Sequence, residues 1–232
     1  MEKNKTGKYF KYAIGEIVLV VIGILIALSI NNWNENRKLQ NEEINLLSEV
    51  KSNLETTLQN FKIDTLYNYQ TIVFYERINH YIESDLPYNT ELDSAFAALS
   101  LWSTPYAQSI GYKTLEGKGL DIIKNKEIRN SIVNLYEVKL QSLFTDIDKS
   151  EWALSDNVIV PFVSKNIRRI NKGSLNRSRP NDFESLKNNQ EFINIISMLI
   201  RQRKIGLMYY RDTIRSLENL IADLDIELNS RS

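Results

Sequence analysis

Residues 12–30 read YAIGEIVLVVIGILIALSI, a run of 19 residues whose only charged side chain is Glu16. A helix of this length spans about 28 Å, which is close to the thickness of the hydrocarbon layer of a bilayer. Aromatic residues stand on both sides, Tyr12 at the start and Trp33 just after the run, as is typical of membrane interfaces. The sequence therefore predicts a transmembrane helix over residues 12–33.

A cleaved signal peptide is the alternative interpretation of this run. Ala27-Leu28-Ser29 offers a small-x-small cleavage site, of the kind that follows a signal peptide. A polar helical pattern without Gly or Pro begins right after Trp33 and continues to about Glu83. That pattern, together with the aromatic flanks, favours a retained anchor.

Positive charge predicts the orientation of the anchor. Only Arg37 and Lys38 lie just beyond the run, whereas four lysines precede it: Lys3, Lys5, Lys8 and Lys11. By the positive-inside rule, residues 1–11 form a cytoplasmic tail and residues 34–232 form a domain outside the cytoplasm. We therefore expect a single-pass protein of a bacterial inner membrane with a periplasmic domain.

Composition argues against several classes of function. The chain has 29 basic residues (Lys and Arg) and 29 acidic residues (Asp and Glu), so its net charge is zero. The overall charge therefore does not favour nucleic acid as a partner. Cysteine is absent, His80 is the single histidine, and only 8 glycines and 4 prolines occur. We found no metal-ligand spacing, no Ser/His/Asp grouping and no phosphate-binding loop. The sequence therefore predicts a protein that is not an enzyme and holds no cofactor or metal.

Helical periodicity predicts an all-α fold behind the anchor. Three segments of similar length, 34–83, 126–170 and 183–229, carry apolar residues at three- and four-residue steps. Pro87 ends the first segment, Pro161 should kink or end the second, and residues 171–182 read as a loop. Equal lengths joined by reversals predict an elongated up-down bundle, with 84–125 as a distal cap holding a short helix over 91–103.

The last helix has the most regular pattern in the chain. Its apolar positions alternate three and four residues apart over five heptads, as in a supercoiled seam, and only Arg203 breaks the pattern. A second stripe on the same helix predicts two neighbouring helices. If the seam is the packed interior, Arg203→Leu is expected to stabilise the domain. The seam comprises Ile193, Ile196, Ile200, Arg203, Leu207, Tyr210, Ile214, Leu217, Ile221, Leu224 and Leu228, and the stripe comprises Phe192, Ile195, Leu199, Tyr209 and Leu220.

The predicted membrane helix carries a candidate interface with another helix. Gly15, Gly23 and Ala27 share one face, and Gly23 and Ala27 form a small-xxx-small pair that permits close helix approach. Glu16 lies about one turn inside the apolar run, where a carboxylate either reaches the headgroups or contacts a membrane partner. We therefore expect a homo-oligomer, with a membrane-protein partner as a second possibility.

A basic patch lies before and within the predicted loop. Six cations occur there without an intervening acid: Lys165, Arg168, Arg169, Lys172, Arg177 and Arg179. One interpretation is a solvated surface loop. The other follows from the up-down bundle, which places the loop beside the membrane and its anionic headgroups.

A candidate ligand loop lies in the predicted cap. Tyr112 precedes Gly117, Lys118 and Gly119, and two glycines beside a lysine allow a ligand to approach the backbone. An ordinary helix-capping turn is the alternative interpretation.

Two stretches resemble a known family. The block from Tyr12 to Leu28, continuing into Asn31-Asn32-Trp33-Asn34-Glu35, resembles the opening of a family of uncharacterised single-pass membrane proteins of Bacteroidota. The stretch from Tyr112 to Tyr136, with Gly117 and Gly119, is similar to that family's second recurring pattern. The resemblance implies a membrane anchor and a helical domain and implies no activity.

Three functions fit these observations. The first is a membrane-anchored scaffold or accessory subunit that presents its helical domain to a partner. The second is a sensor or energy-coupling component, which needs a separate membrane protein because its cytoplasmic tail is too short for an output domain. An enzyme acting on envelope polymers is the third hypothesis, and paired carboxylates facing one cleft would favour it.

Overall fold

The computed structural model describes residues 5–170 and 177–231, with side chains from residue 10 onward. The described chain is mainly helical, with one short two-stranded ribbon, so the predicted all-α class is confirmed. The chain divides into two compact units, Met1–Leu47 and Ser48–Ser232. We call them the N-terminal unit and the C-terminal unit.

The first helix, α1, spans Lys5–Glu83 and contains the apolar run. Among the described residues it is the one helix that is long and apolar enough to cross a bilayer, on grounds of length and composition. Its apolar window has a mean hydropathy of 2.8 and none of that window is buried. A core helix or a signal sequence can also reach such hydropathy, but a core helix would be mostly buried. Helix α1 ends at Glu83, where its end was predicted, four residues before Pro87.

Short elements connect α1 to the next long helix. The predicted helix over 91–103 is shorter than expected, because α2 spans only Asp93–Ala98 after a 3₁₀ turn at Thr90–Leu92. Residues 101–109 form neither helix nor strand, and we call them the strap. Helix α3, Ile110–Lys118, and a second 3₁₀ turn, Leu120–Ile122, follow it.

The middle helix, residues 126–166, is continuous but irregular. The helix continues past Pro161 to Asn166, so the proline does not end it, and a π-helical stretch, Ser155–Ile159, lies directly before that segment. The helix contains α4 (Lys126–Val133), α5 (Lys149–Leu154) and α6 (Val160–Asn166), with π-helical stretches at Asn134–Leu140, Leu143–Asp148 and Ser155–Ile159.

An antiparallel ribbon follows where a loop was predicted. Strand β1, Ile167–Arg169, pairs with β2, Ser178–Pro180, and the intervening residues 171–176 lie outside the described part. Two helices complete the chain, α7 (Phe183–Lys187) and α8 (Gln190–Asn229). The predicted last helix, 183–229, is interrupted at Asn188 and Asn189, so it is present as two helices, and its predicted end at residue 229 is confirmed.

Ion pairs give the direction of α1 and α8 within the C-terminal unit. Lys51 lies 2.5 Å from Asp225, and Glu76 lies 2.7 Å from Lys204. Residue numbers therefore rise along α1 as they fall along α8, so the two helices are antiparallel.

The middle helix is also antiparallel to α8. Asn125, just before it, donates a 2.7 Å hydrogen bond to Glu227, whereas Ser150 accepts one of 2.6 Å from Gln202. The middle helix consequently runs parallel to residues 48–83 of α1. The up-down prediction required the middle helix to run antiparallel to that segment and α8 to run parallel to it, so both predicted directions relative to α1 are wrong.

The strap explains the difference. Ser103 donates a hydrogen bond to Asp64, the backbone N–H of Gln108 donates to Thr57 at 2.9 Å, and the N–H of Gly111 donates to Asn53 at 2.8 Å. The residue numbers of the partners on α1 fall from 64 to 53 as the chain advances from 103 to 111, so the strap carries the chain back along α1 toward Ser48. Residues 84–125 therefore do not form a cap at one end of the bundle.

Candidate functional site

A buried ion pair joins the middle helix to α8. Nη1 of Arg203 lies 2.6 Å from Oε2 of Glu151, and the two side chains are 5% and 9% exposed. The seam pattern placed Arg203 in the interior, and its burial is confirmed. A charge without a partner there would be strongly destabilising, and Glu151 provides the opposite charge.

The other donors of Arg203 reach α1 and the strap. Nη1 donates to the Asn68 side chain at 3.0 Å, and Nη2 donates to the Leu101 carbonyl at 3.1 Å. One guanidinium thus bonds to groups from three other elements. Its planar set of five donors suits this arrangement.

Carboxylates beside the strap are affected by burial. Burial raises the pKa of Glu151, and the charge of Arg203 opposes this effect without cancelling it. Burial also raises the pKa of Asp64, against the hydrogen bonds that it accepts from Ser103 and Tyr210. Both acids therefore take up a proton more readily than free carboxylates do.

Two buried tyrosines, Tyr75 and Tyr210, lie near these charged groups. Burial raises the pKa of Tyr75 to about 12, although the nearby charge of Arg203 lowers it. The hydroxyl of Tyr75 donates a 3.0 Å hydrogen bond to the Ala98 carbonyl, just before the strap. Burial is also the main cause of the raised pKa of Tyr210. These phenols stay protonated and act as hydrogen-bond donors at neutral pH.

Two buried atoms of the layer are unsatisfied within the described residues, Oδ1 of Asp148 and Oγ of Ser155. Burial raises the pKa of Asp148, and a hydrogen bond with Thr104 of the strap opposes the shift. Ser155 lines a narrow pocket together with Trp102 and Gln202. We call the whole set the polar layer, and its members are Asp64, Asn68, Tyr75, Asp148, Glu151, Ser155, Arg203 and Tyr210.

The hydrogen bonds of the polar layer hold the strap. Most of its groups bond to each other or to the strap, which fixes this segment between three helices. In residues 5–170 and 177–231, no three His, Cys, Asp or Glu side chains are grouped so that they could hold a metal ion. Buried polar networks of this kind rigidify a fold when their members are satisfied.

The predicted membrane face lies on α1 in the N-terminal unit. Gly15, Glu16, Gly23 and Ala27 are all exposed. A Cβ built on Gly15 or Gly23 would meet no atom within 4 Å. The face is open to a neighbouring helix, and its role in self-association stays a prediction.

The basic patch is divided by the fold. The ribbon places Arg168 opposite Arg179, and Arg177 extends the same strand pair. Arg179 is paired with Asp93 at 3.3 Å, and Lys165 and Arg169 are exposed, while Lys172 lies outside the described residues. The expected position of the patch beside the membrane required the antiparallel middle helix, so that argument no longer supports it.

The predicted ligand loop is a helix end. Gly119 has φ of 98°, and its N–H bonds to the carbonyls of Leu115 and Glu116, so it caps α3. Gly117 and Lys118 are the last two residues of that helix. This geometry agrees with the capping interpretation, because only glycine adopts such a backbone without strain.

Tyr112 lies at the other end of α3 and packs against the middle helix. Its ring stacks on Tyr136 with centroids 4.3 Å apart and an interplanar angle of 5°. Burial raises the pKa of Tyr112 to about 12. Tyr112 is therefore part of the packing between α3 and the middle helix.

Sequence reasoning missed Glu151 and the strap, and a signal was present only for buried polar partners of α1. Positions 57, 64 and 68 of α1 continue the heptad of the buried residues Val50, Leu54 and Phe61, yet they are Thr, Asp and Asn. Polar residues at core positions indicate buried hydrogen-bond partners. Here those partners are the strap and Arg203.

These features define an α-helical protein with an exposed apolar N-terminal helix and a strap held by a buried polar layer. Residues 16–200 match the model of a family of unknown function, DUF6090, and the chain belongs to this family. No curated protein and no solved structure matches the chain.

Proposed function

We propose that the protein is a membrane-anchored scaffold or accessory subunit that presents its helical C-terminal unit to a protein partner. The anchor crosses the bacterial inner membrane once, with the N-terminus in the cytoplasm and the C-terminal unit in the periplasm. Catalysis is not part of this proposal, because most groups of the described polar layer are hydrogen-bonded to each other or to the strap.

Support for the anchor comes from exposure as well as composition. Ile17, Leu19 and Leu25 are 63%, 72% and 58% exposed, within a helical window that has no buried part. Such an apolar surface is unfavourable in water and favourable in lipid. Lysines before the run and aromatic residues on both sides support the orientation.

The observation that carries the scaffold proposal is an exposed apolar patch on α1 in the C-terminal unit. Ile63, Leu66, Tyr69 and Val73 are 65%, 72%, 60% and 38% exposed. They share the side of the helix that faces away from buried residues such as Phe61. Contiguous exposed apolar residues mark protein contacts more often than solvated surface. We call these four residues the α1 patch.

Site-specific photocrosslinking in native membranes tests the role of the α1 patch. A photoreactive amino acid replaces Leu66, and the control places it at Met208 on α8, which is similarly exposed at 67%. We expect one defined adduct from position 66, lost when Ile63→Asp is added. Equal adducts from both positions, or none from position 66, would contradict the proposal.

Cysteine labelling tests the topology. The chain has no cysteine of its own, so each introduced cysteine is the single labelling position on this protein. Ser230→Cys should react with a membrane-impermeant maleimide once the outer membrane is opened. Lys8→Cys should react only after the inner membrane is lysed. The reverse pattern would place the C-terminal unit in the cytoplasm. A missing N-terminal segment in the mature protein would favour the signal peptide.

A sensor that acts through a separate membrane protein is the second candidate. The strap contacts Asp64 and Asp148, two carboxylates whose pKa is raised by burial, through Ser103 and Thr104. Protonation of these acids changes the bonds that hold the strap, which gives the sensor a physical basis. A reversible change in strap accessibility as the pH falls from about 7 toward the pKa of these acids would favour this candidate over a passive scaffold.

A further inference from the structure

The ribbon collects arginines on one of its faces. Side chains alternate between the two faces of a strand. Arg179 in β2 and Arg177 just before it therefore lie on the same face. The pairing register sets Arg168 directly opposite Arg179, and the Ile170 N–H bonds to the Arg177 carbonyl at 3.3 Å. Three guanidinium groups therefore occur within neighbouring cross-strand positions.

Such an arrangement is unfavourable unless an anion compensates it, because like charges directly opposite each other destabilise a strand pair. Within the described residues, the one acid that pairs with the three arginines is Asp93, which lies 3.3 Å from Arg179. Arg168 and Arg177 are exposed and have no acidic partner there. The face therefore keeps a charge of about +2 after one carboxylate is set against three guanidiniums.

One member of the face is already held in position. Nε of Arg179 donates a 2.9 Å hydrogen bond to the hydroxyl of Tyr88, and its Cζ lies 5.3 Å from the centre of that ring. Asp93 is buried, with its side chain 5% exposed. Arg179 is thus fixed by groups from outside the ribbon, and Arg168 and Arg177 have free donors beside it.

We propose that this face, formed by Arg168, Arg177 and Arg179, binds a phosphate oxyanion. A phosphate monoester carries a charge of about −1.5 to −2 at neutral pH, which matches the uncompensated charge of the face. Its oxygens accept the paired donors of several guanidiniums, whereas a carboxylate is satisfied by one. The proposal is independent of the membrane anchor, and the phosphate belongs either to a lipid headgroup or to a soluble phosphate.

The test uses the full chain in nanodiscs of phosphatidylcholine, so that the apolar helix is already in lipid. Calorimetric titration with inorganic phosphate probes the soluble source. Flotation of the loaded nanodiscs with vesicles containing phosphatidic acid, against pure phosphatidylcholine vesicles, probes the headgroup. Acetate in place of phosphate tests the preference over a carboxylate.

The variant is Arg168→Ala/Arg177→Ala, and the control is Arg201→Ala/Arg211→Ala, which removes two exposed charges from α8. We expect binding in at least one arm, a loss of at least about tenfold in the variant, and unchanged binding in the control. Circular dichroism checks that both variants melt like the parent. Absence of binding in both arms, equal losses in variant and control, or equal affinity for acetate would overturn the proposal.

Discussion

Glu151 and Arg203 lie 2.6 Å apart in the interior of the C-terminal unit, on two helices that are joined through the ribbon and α7. Replacing both members of such a pair with apolar residues is often neutral, whereas removing one member leaves an uncompensated buried charge. The pair therefore reverses the expectation that Arg203→Leu stabilises the domain, because this substitution removes only one member of the pair.

Arg203→Leu should destabilise the protein by about 3 to 5 kcal/mol, because Glu151 is left buried without its cation. The Asn68 side chain and the Leu101 carbonyl also lose a donor. Adding Glu151→Met should restore most of the loss. Denaturant unfolding of the full chain in detergent, followed by circular dichroism, measures both. A more stable single variant would contradict this prediction.

Thr57→Val should weaken the attachment of the strap. The Thr57 hydroxyl is buried and accepts the backbone N–H of Gln108 at 2.9 Å, so valine leaves that donor unsatisfied. We expect a loss of about 1 to 3 kcal/mol. Thr56→Val is the matched control, since Thr56 is exposed and bonds only within its own helix. Equal unfolding midpoints for the two variants would show that the strap bond contributes nothing.

Local patterns explain which parts of this fold the sequence could predict. Periodicity predicted α8 and the polar part of α1 well, because an apolar stripe repeats every three or four residues in any long buried helix. It also found Arg203 as an interruption of that stripe. The ends of these helices follow from local signals such as Pro87.

The strap could not be predicted in the same way. Its conformation depends on Asn53, Thr57 and Asp64, which lie about 40 to 60 residues earlier in the chain. Equal helix lengths then suggested simple reversals, and the direction of the middle helix was wrong as a result. Glu151 was missed because nothing in the local sequence separates it from the exposed acids near it.

Asp148→Asn should stabilise the protein at neutral pH. Burial raises the pKa of Asp148 in the folded state, so the folded chain binds the proton more tightly than the unfolded chain. The resulting destabilisation is present above the folded pKa and disappears as the pH falls below the unfolded value. Unfolding midpoints of the variant and the parent should therefore differ at pH 7 and converge near pH 3.

The control for this prediction is Asp156→Asn, an exposed acid on the same helix. Its unfolding midpoint should differ little from that of the parent at either pH. If Asp148→Asn were less stable than the parent at pH 7, the bond with Thr104 would matter more than the burial of the charge.

Gly23→Leu/Ala27→Leu should weaken self-association in membranes. Both positions are exposed on α1, and a Cβ on Gly23 meets no atom of its own chain, so larger side chains there affect only a neighbouring helix. Crosslinked oligomers in native membranes should decrease, with Val18→Leu/Val21→Leu as the control on the opposite side of the helix, where both residues are also exposed. Unchanged crosslinking would remove this face from the proposed interface.

Gly111→Ala should destabilise the start of α3, where the chain leaves the strap. A Cβ there would lie 3.0 Å from the Val50 nitrogen and 3.1 Å from its Cα, and these are backbone atoms of α1 that cannot move aside alone. We expect a loss of about 1 to 3 kcal/mol from the forced shift. The N–H of Gly111 also bonds to Asn53 at 2.8 Å, and that bond should lengthen.

Gly117→Ala in the same helix is the matched control, because its Cβ would meet nothing within 4 Å. Alanine is the better helix former, so this control should be neutral or more stable by up to about 1 kcal/mol. Equal effects of the two substitutions would show that α3 does not pack closely against α1, and the path of the strap would then be wrong.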